Sequence, residues 1–223
     1  IYKIINNKFS RFFKFIFFLK YLFVIFFVAT ALFLTIPHFF DYQKKERGIK
    51  SYMFQNLGLD IKSFEKIKFN SFPTPHYELE KIYSNFDTKE INLNADKLVI
   101  FPKLTNIYNF ENLIIKKIEF ENARIVTNTE NVKFLINKIF NQKNKINFTN
   151  MNIQIKDKDQ DSYLIDLRNI DYSNFGYQKN TVSGKIFDKK FLMKIKKNYQ
   201  KYDFKLSNTG IFFTLDLDEN YNF

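Results

Sequence analysis

A run of twenty residues without one charge, YLFVIFFVATALFLTIPHFF at 21–40, constrains this chain more than any other feature. At about 1.5 Å of rise per residue, the apolar stretch 15–36, stopped by Pro37, makes a helix about 33 Å long. That is enough to cross a hydrocarbon core of about 30 Å. Lys20 lies near its start, where a long side chain reaches headgroup level. Lys3, Lys8, Arg11, Lys14 and Lys20 come with no acid, whereas Asp41, Lys44, Lys45, Glu46, Arg47 and Lys50 after the span are mixed in sign. The more basic side stays in the cytoplasm. The reading is therefore a basic cytoplasmic tail at 1–14, a transmembrane anchor at 15–40 and a domain outside the cytoplasm at 41–223. A signal peptide cleaved after Ala31 is the competing expectation, since Ala29-Thr30-Ala31 fits the small-residue pattern. Leu32, Phe33 and Leu34 carry the apolar run past that point and speak against it. A buried core helix would keep a polar stripe, and this one has none.

Directly after the anchor, Ile49, Tyr52, Met53 and Leu57 recur at helical spacing, with Lys44, Lys45, Glu46, Arg47 and Lys50 elsewhere around the wheel. The pattern predicts an amphipathic helix over 42–57 ended by Gly58 and packed on the domain that follows, with a helix lying on the membrane surface as the alternative. From Leu59 the period switches to two. LDIKSFEKIKF, HYELEKIYSNF, EINLNADKLVIF and NLIIKKIEFENARIVT read as half-buried antiparallel strands, with Pro73 and Pro75 in a turn. Ile91, Leu93, Ala95, Val99 and Phe101 are expected on one face. A short helix is predicted where Val132, Leu135, Ile136, Ile139 and Phe140 form one stripe. Strands resume at KINFTNMNIQI, SYLIDLRNIDY, TVSGKIF, KFLMKI, YDFKLS and GIFFTLDL.

A repeat runs through this β region. Ile118, Phe120, Asn122 and Ile125 return twenty-eight residues later as Ile146, Phe148, Asn150 and Ile153, and Ile67-Lys-Phe69-Asn70 echoes them. In both full copies the apolar parity shifts by one after the Asn. A bulge or kink there would bend neighbouring strands at one height and curl the sheet.

The net charge is +12, of which +5 precedes or opens the span; the remaining 30 basic residues are interspersed with 23 acidic ones. Such interspersion describes a solvated surface, not a nucleic-acid stripe. The 30 Phe and 13 Tyr are expected in the core rather than as base-stacking platforms. The absence of Cys excludes disulfides and thiolate metal sites. His38 and His76 lack a second ligand at metal spacing. The glycine-rich phosphate loop, the GxSxG elbow and HExxH are absent. Asp157, Asp159 and Asp161 lack the Gly and terminal Glu of a calcium-binding EF-hand loop, and Asp216 with Asp218 reads as solvated charge. No enzyme activity, cofactor or nucleic-acid partner is expected. The chain starts at Ile1 and ends at Phe223 just after a strand-like run, so it is expected to be part of a longer protein.

The order of elements, with Leu57-Gly58-Leu59-Asp60-Ile61, FPTPHYELEKI at 72–82, INLNADKLVIFPKL and IIKKIEFENARIVT, resembles the amino-terminal region of the AsmA family of bacterial inner-membrane proteins. Ser183-Gly184-Lys185-Ile186-Phe187 followed by KKFLMKI is similar to that family's later paired strands. The resemblance implies a single inner-membrane span, with the bulk in the periplasm. It also implies a curved antiparallel sheet with a hydrophobic groove and a role in outer-membrane biogenesis and phospholipid transfer. The expected fold is mainly β, a groove-like curved antiparallel sheet with one or two short helices behind a single transmembrane helix. Ile91, Leu93, Val99, Phe101, Ile118, Phe120, Ile146 and Phe148 are the candidate groove-lining residues, and membrane lipids the expected ligands. A periplasmic scaffold that binds an envelope protein partner is the alternative.

Overall fold

The computed structural model describes residues 2–86, 90–109, 113–140, 142–157, 163–196 and 201–216. They fall into two units, Ile1–Phe40 and Asp41–Phe223. The first is a single helix, α1 (Tyr2–Thr35), followed by a 3-10 turn over Ile36–Phe39. The α-helix gives way to the 3-10 turn at Pro37, which has no N–H to donate to a carbonyl one turn back. Phe12–Phe39 is long and apolar enough to cross a membrane, and its apolar side chains from Phe12 to Val28 are exposed on all sides. The basic segment expected as a separate tail continues the same helix back to Tyr2.

The second unit opens with α2 (Tyr42–Leu57). Gly58 ends it at φ +67°, with its N–H bonded to Phe54 O at 2.9 Å, a left-handed cap that glycine adopts without Cβ strain. The buried stripe of α2 is Lys45, Ile49, Met53 and Leu57. Lys45, expected on the polar side, is on the buried one, because the spacing of four that joins Ile49, Met53 and Leu57 extends back to it.

Among the described residues eleven strands form one curved, open, mainly antiparallel sheet. They are β1 (Leu59–Ser63), β2 (Lys66–Asn70), β3 (His76–Phe86), β4 (Asn92–Pro102), β5 (Ile115–Asn128), β6 (Lys145–Lys156), β7 (Tyr163–Ser173), β8 (Thr181–Ile186), β9 (Lys189–Lys196), β10 (Lys201–Leu206) and β11 (Phe212–Asp216). From β3 to β11 they pair in chain order, and β1 and β2 share the free edge of β3, one after the other. One pair departs from the antiparallel expectation. β5 and β6 run parallel because the chain between them holds α3 (Val132–Phe140), a crossover that returns it to the starting end of the sheet.

The parallel pair is in register at an offset of twenty-eight residues, so the sequence repeat is a stacking of like on like. Ile118 faces Ile146, Phe120 faces Phe148 and Ile125 faces Ile153. Asn122 and Asn150 both adopt left-handed backbone, at φ 51° and 56°. The line of irregularity is longer than the repeat. Lys81 in β3 (φ 48°) and Asn169 in β7 (φ 51°) lie on it, and Asp96 of β4 falls between Lys81 and Asn122. Asn122 Nδ2 donates to Asp96 Oδ2 (3.0 Å), Asn150 Nδ2 to Asn122 Oδ1 (2.7 Å) and Asn169 Nδ2 to Asn150 Oδ1 (2.7 Å). The register is unchanged across β3 to β6 at this row and shifts only between β6, β7 and β8, so the row is a line of kinks at one height, and strands bent at one height curl the sheet. Asn70, the third echo, is not on this row.

The row also reassigns faces. Leu93 and Ala95 point to the inner, helix-covered side, but past Asp96 it is Leu98 and Ile100 that do so. Val99 and Phe101 therefore point outward, not to the face of Ile91 and Leu93 as expected.

A candidate apolar groove

Over the first half of the sheet the inner face is closed. Ile49, Met53 and Leu57 of α2 and Leu135 and Ile139 of α3 are buried against it. Between Leu57, Phe86, Leu93, Phe120, Ile139, Ile146 and Phe148 there is a void of about 20 Å³, room for about one water. Phe120 and Phe148 stack with centroids 4.8 Å apart and planes 9° from parallel. Six of the eight residues expected to line a groove, Ile91, Leu93, Ile118, Phe120, Ile146 and Phe148, are thus core, and none is more than 3 % exposed. The other two are on the outer face. Val99 is buried between its cross-strand neighbours Glu78 and Glu119, and Phe101 packs on His76 at 5.2 Å.

The open part of the inner face lies further along the chain. The stripe of α3 expected from sequence stands over β6 to β10 and encloses a cavity of about 230 Å³. Its walls are Met151, Ile153 and Ile155 of β6, Leu167, Ile170 and Tyr172 of β7, Val182 of β8, Phe191 and Met193 of β9, and Phe204 of β10. The helix reaches no further. Phe191 stacks on Phe204 (5.5 Å) and Phe204 on Phe213 (4.8 Å), so an aromatic shelf leads from beneath α3 to β11, where Phe213 is 48 % exposed. Gly184 makes room for the shelf, since a Cβ there would stand 3.0 Å from the Phe191 ring and 3.1 Å from Ile170. Alternating apolar residues in β7 to β10 signalled this face, and the shortness of the one helix at Val132–Phe140 signalled that its cover would be incomplete.

The outer face is polar. Lys97 pairs with Glu121 (3.3 Å), Lys81 with Glu65 (2.9 Å), Lys68 with Glu80 and Lys196 with Asp203. Hydrogen bonds from Lys68 and Lys196 hold the Glu80 and Asp203 carboxyls below their ordinary pKa. His76 is held by Thr74 O at Nδ1 (2.7 Å) and by Glu78 at Nε2 (3.2 Å). Among the described residues no cluster of three His, Cys, Asp or Glu could hold a metal ion. Asp216 pairs with Lys201, whereas Asp159, Asp161 and Asp218 lie outside the described residues.

Comparison with protein-family models, with characterised proteins and with solved structures finds no match for this chain.

Proposed function

We propose that this is a membrane-anchored cell-envelope protein that binds or conducts phospholipid acyl chains along the inner face of its sheet, without catalysis. The topology proposed is a single inner-membrane span with the amino terminus in the cytoplasm and the sheet in the periplasm, as the AsmA resemblance implies. The cavity under α3 carries the reading. A half-covered trough of about 230 Å³ walled by apolar side chains leaves that surface facing water, which is unfavourable. An acyl chain covers it and gains about 0.8 kcal/mol per methylene buried. The shelf of Phe204 and Phe213 gives the rest of such a chain an apolar track.

The test is to purify residues 41–223 from a membrane-containing host and measure bound phospholipid by mass spectrometry. Lipid in stoichiometric amounts is expected, and a stable, lipid-free monomer counts against the groove.

One observation favours the scaffold alternative. Among the described residues β11 ends the strand order, and it exposes Ile211, Phe212 and Phe213 beside the edge that no described strand pairs with. Such an edge accepts an added strand from a partner.

A further inference from the structure

One region of the outer face departs from its pattern of paired charges. Where β4 finishes and β5 and β6 begin, Phe101 and Phe175 floor an open pocket of about 770 Å³ rimmed by Lys103, Lys116, Lys117 and Lys145. Lys117 Nζ stands 3.9 Å from the centre of the Phe101 ring and 5.8 Å from that of Phe175, and Lys145 Nζ 5.9 Å from Phe175. Ring faces attract ammonium groups without neutralising them. Lys117 also meets Glu119 at 2.8 Å. Among the described residues no carboxylate pairs with Lys103, Lys116 or Lys145, so the rim keeps a net positive charge.

Two further features share this end of the sheet. Leu104 and Ile114, which line the pocket, are each 51 % exposed, and Phe72, in the turn before β3, is 79 % exposed. The polypeptide also enters the sheet unit here. Tyr42 opens α2, and Lys45, one turn on, donates to the carbonyls of Ile107 and Asn109 in the loop that follows the pocket's Leu104 and Thr105. Lysines around exposed apolar side chains are the composition that binds an anionic bilayer surface, the ammoniums meeting phosphates while the apolar tips enter the interface.

We propose that this pocket docks the phosphate-bearing headgroups of anionic phospholipids at the surface of the membrane that holds the anchor. The inference rests on the anchor in the reading above, not on the groove. Charge complementarity and the point at which the chain enters the unit select a lipid surface over single-stranded nucleic acid, which lysines beside aromatic rings can also hold.

The chain has no cysteine, so Leu104→Cys in the full-length protein takes a single fluorescent label. The protein is placed in nanodiscs of phosphatidylcholine with or without phosphatidylglycerol, and the label is quenched by brominated acyl chains. Phosphatidylglycerol is expected to raise quenching roughly twofold or more, since each lysine near an anionic surface strengthens binding about fivefold. Replacing the four lysines by Gln removes the rise, and replacing them by Arg keeps it. Equal quenching in both discs overturns the proposal, as does a persistent rise in the Gln variant with its β circular-dichroism spectrum intact. Loss of the rise in millimolar inorganic phosphate assigns the pocket to a soluble anion, and loss to an oligo-dT competitor assigns it to nucleic acid; either overturns the lipid docking. A chain that does not co-elute with the discs contradicts the anchor itself. Co-elution without a phosphatidylglycerol effect contradicts the docking alone.

Discussion

Asn122 and Asn150 stand side by side on the parallel strands β5 and β6, both left-handed, with the amide of Asn150 donating to the carbonyl of Asn122 at 2.7 Å. Left-handed backbone costs a residue with a Cβ about 1–2 kcal/mol, least for Asn, whose short polar side chain bonds locally. Asn122→Ala and Asn150→Ala should each destabilise the 41–223 unit by about 1–2 kcal/mol in urea unfolding. Asn→Gly at either site should cost less, because it loses the side-chain bond but not the backbone fit. Equal effects of Ala and Gly would mean that left-handed backbone is not what the Asn residues supply.

Lys45 gives a pH signature. Burial pulls its pKa down from 10.5 to about 8. In the unfolded chain it keeps its proton up to the ordinary value, so between pH 8 and 10 the unfolded state binds more protons and stability rises with pH. Tyr42, Tyr52 and Tyr77, raised by burial, act in the opposite sense above about pH 10 and close the window. Unfolding at pH 8 and pH 10 should show a gain of about 1–2 kcal/mol, and Lys45→Met should be flat over that interval.

The stacked pair Phe120 and Phe148 belongs to the closed core. Phe120→Ala and Phe148→Ala should each cost about 3–5 kcal/mol. Their effects should not add in a double-mutant cycle, since the rings touch. The outward Val99→Ala should leave acyl-chain capture unchanged, measured as phospholipid bound per folded protein.

Gly184→Ala should destabilise by about 1–3 kcal/mol, because the new methyl meets Phe191, Ile170 and the Arg168 carbonyl at 3.0–3.1 Å. It should also displace the Phe191 ring and weaken capture of a fluorescent fatty acid more than Asn122→Ala does.

Much of this architecture was legible in the sequence. Period-two alternation located the strands, Gly58 marked the end of α2, and the parity shifts at Asn122 and Asn150 announced the left-handed kinks. What alternation could not convey was the shift at Asp96, where no Asn marks it, and so Val99 and Phe101 were expected on the wrong face. Lys45 was misplaced because its charge outweighed its spacing of four from Ile49. The groove was expected too early in the chain. Ile118, Phe120, Ile146 and Phe148 alternate no differently from Ile153, Met193 and Phe204, and only the reach of α2 and α3 decides which set is sealed.

The central claim is that acyl chains occupy the inner face between α3 and β10. It is tested most directly by placing a benzophenone analogue of phenylalanine at position 204, in the cavity wall, or at position 212, exposed on the outward side of β11. Each full-length protein is then irradiated in membranes that contain radiolabelled phospholipid. Lipid adducts are expected at 204 and few or none at 212. Equal labelling at the two positions, or none at 204 in a folded protein, would contradict that claim.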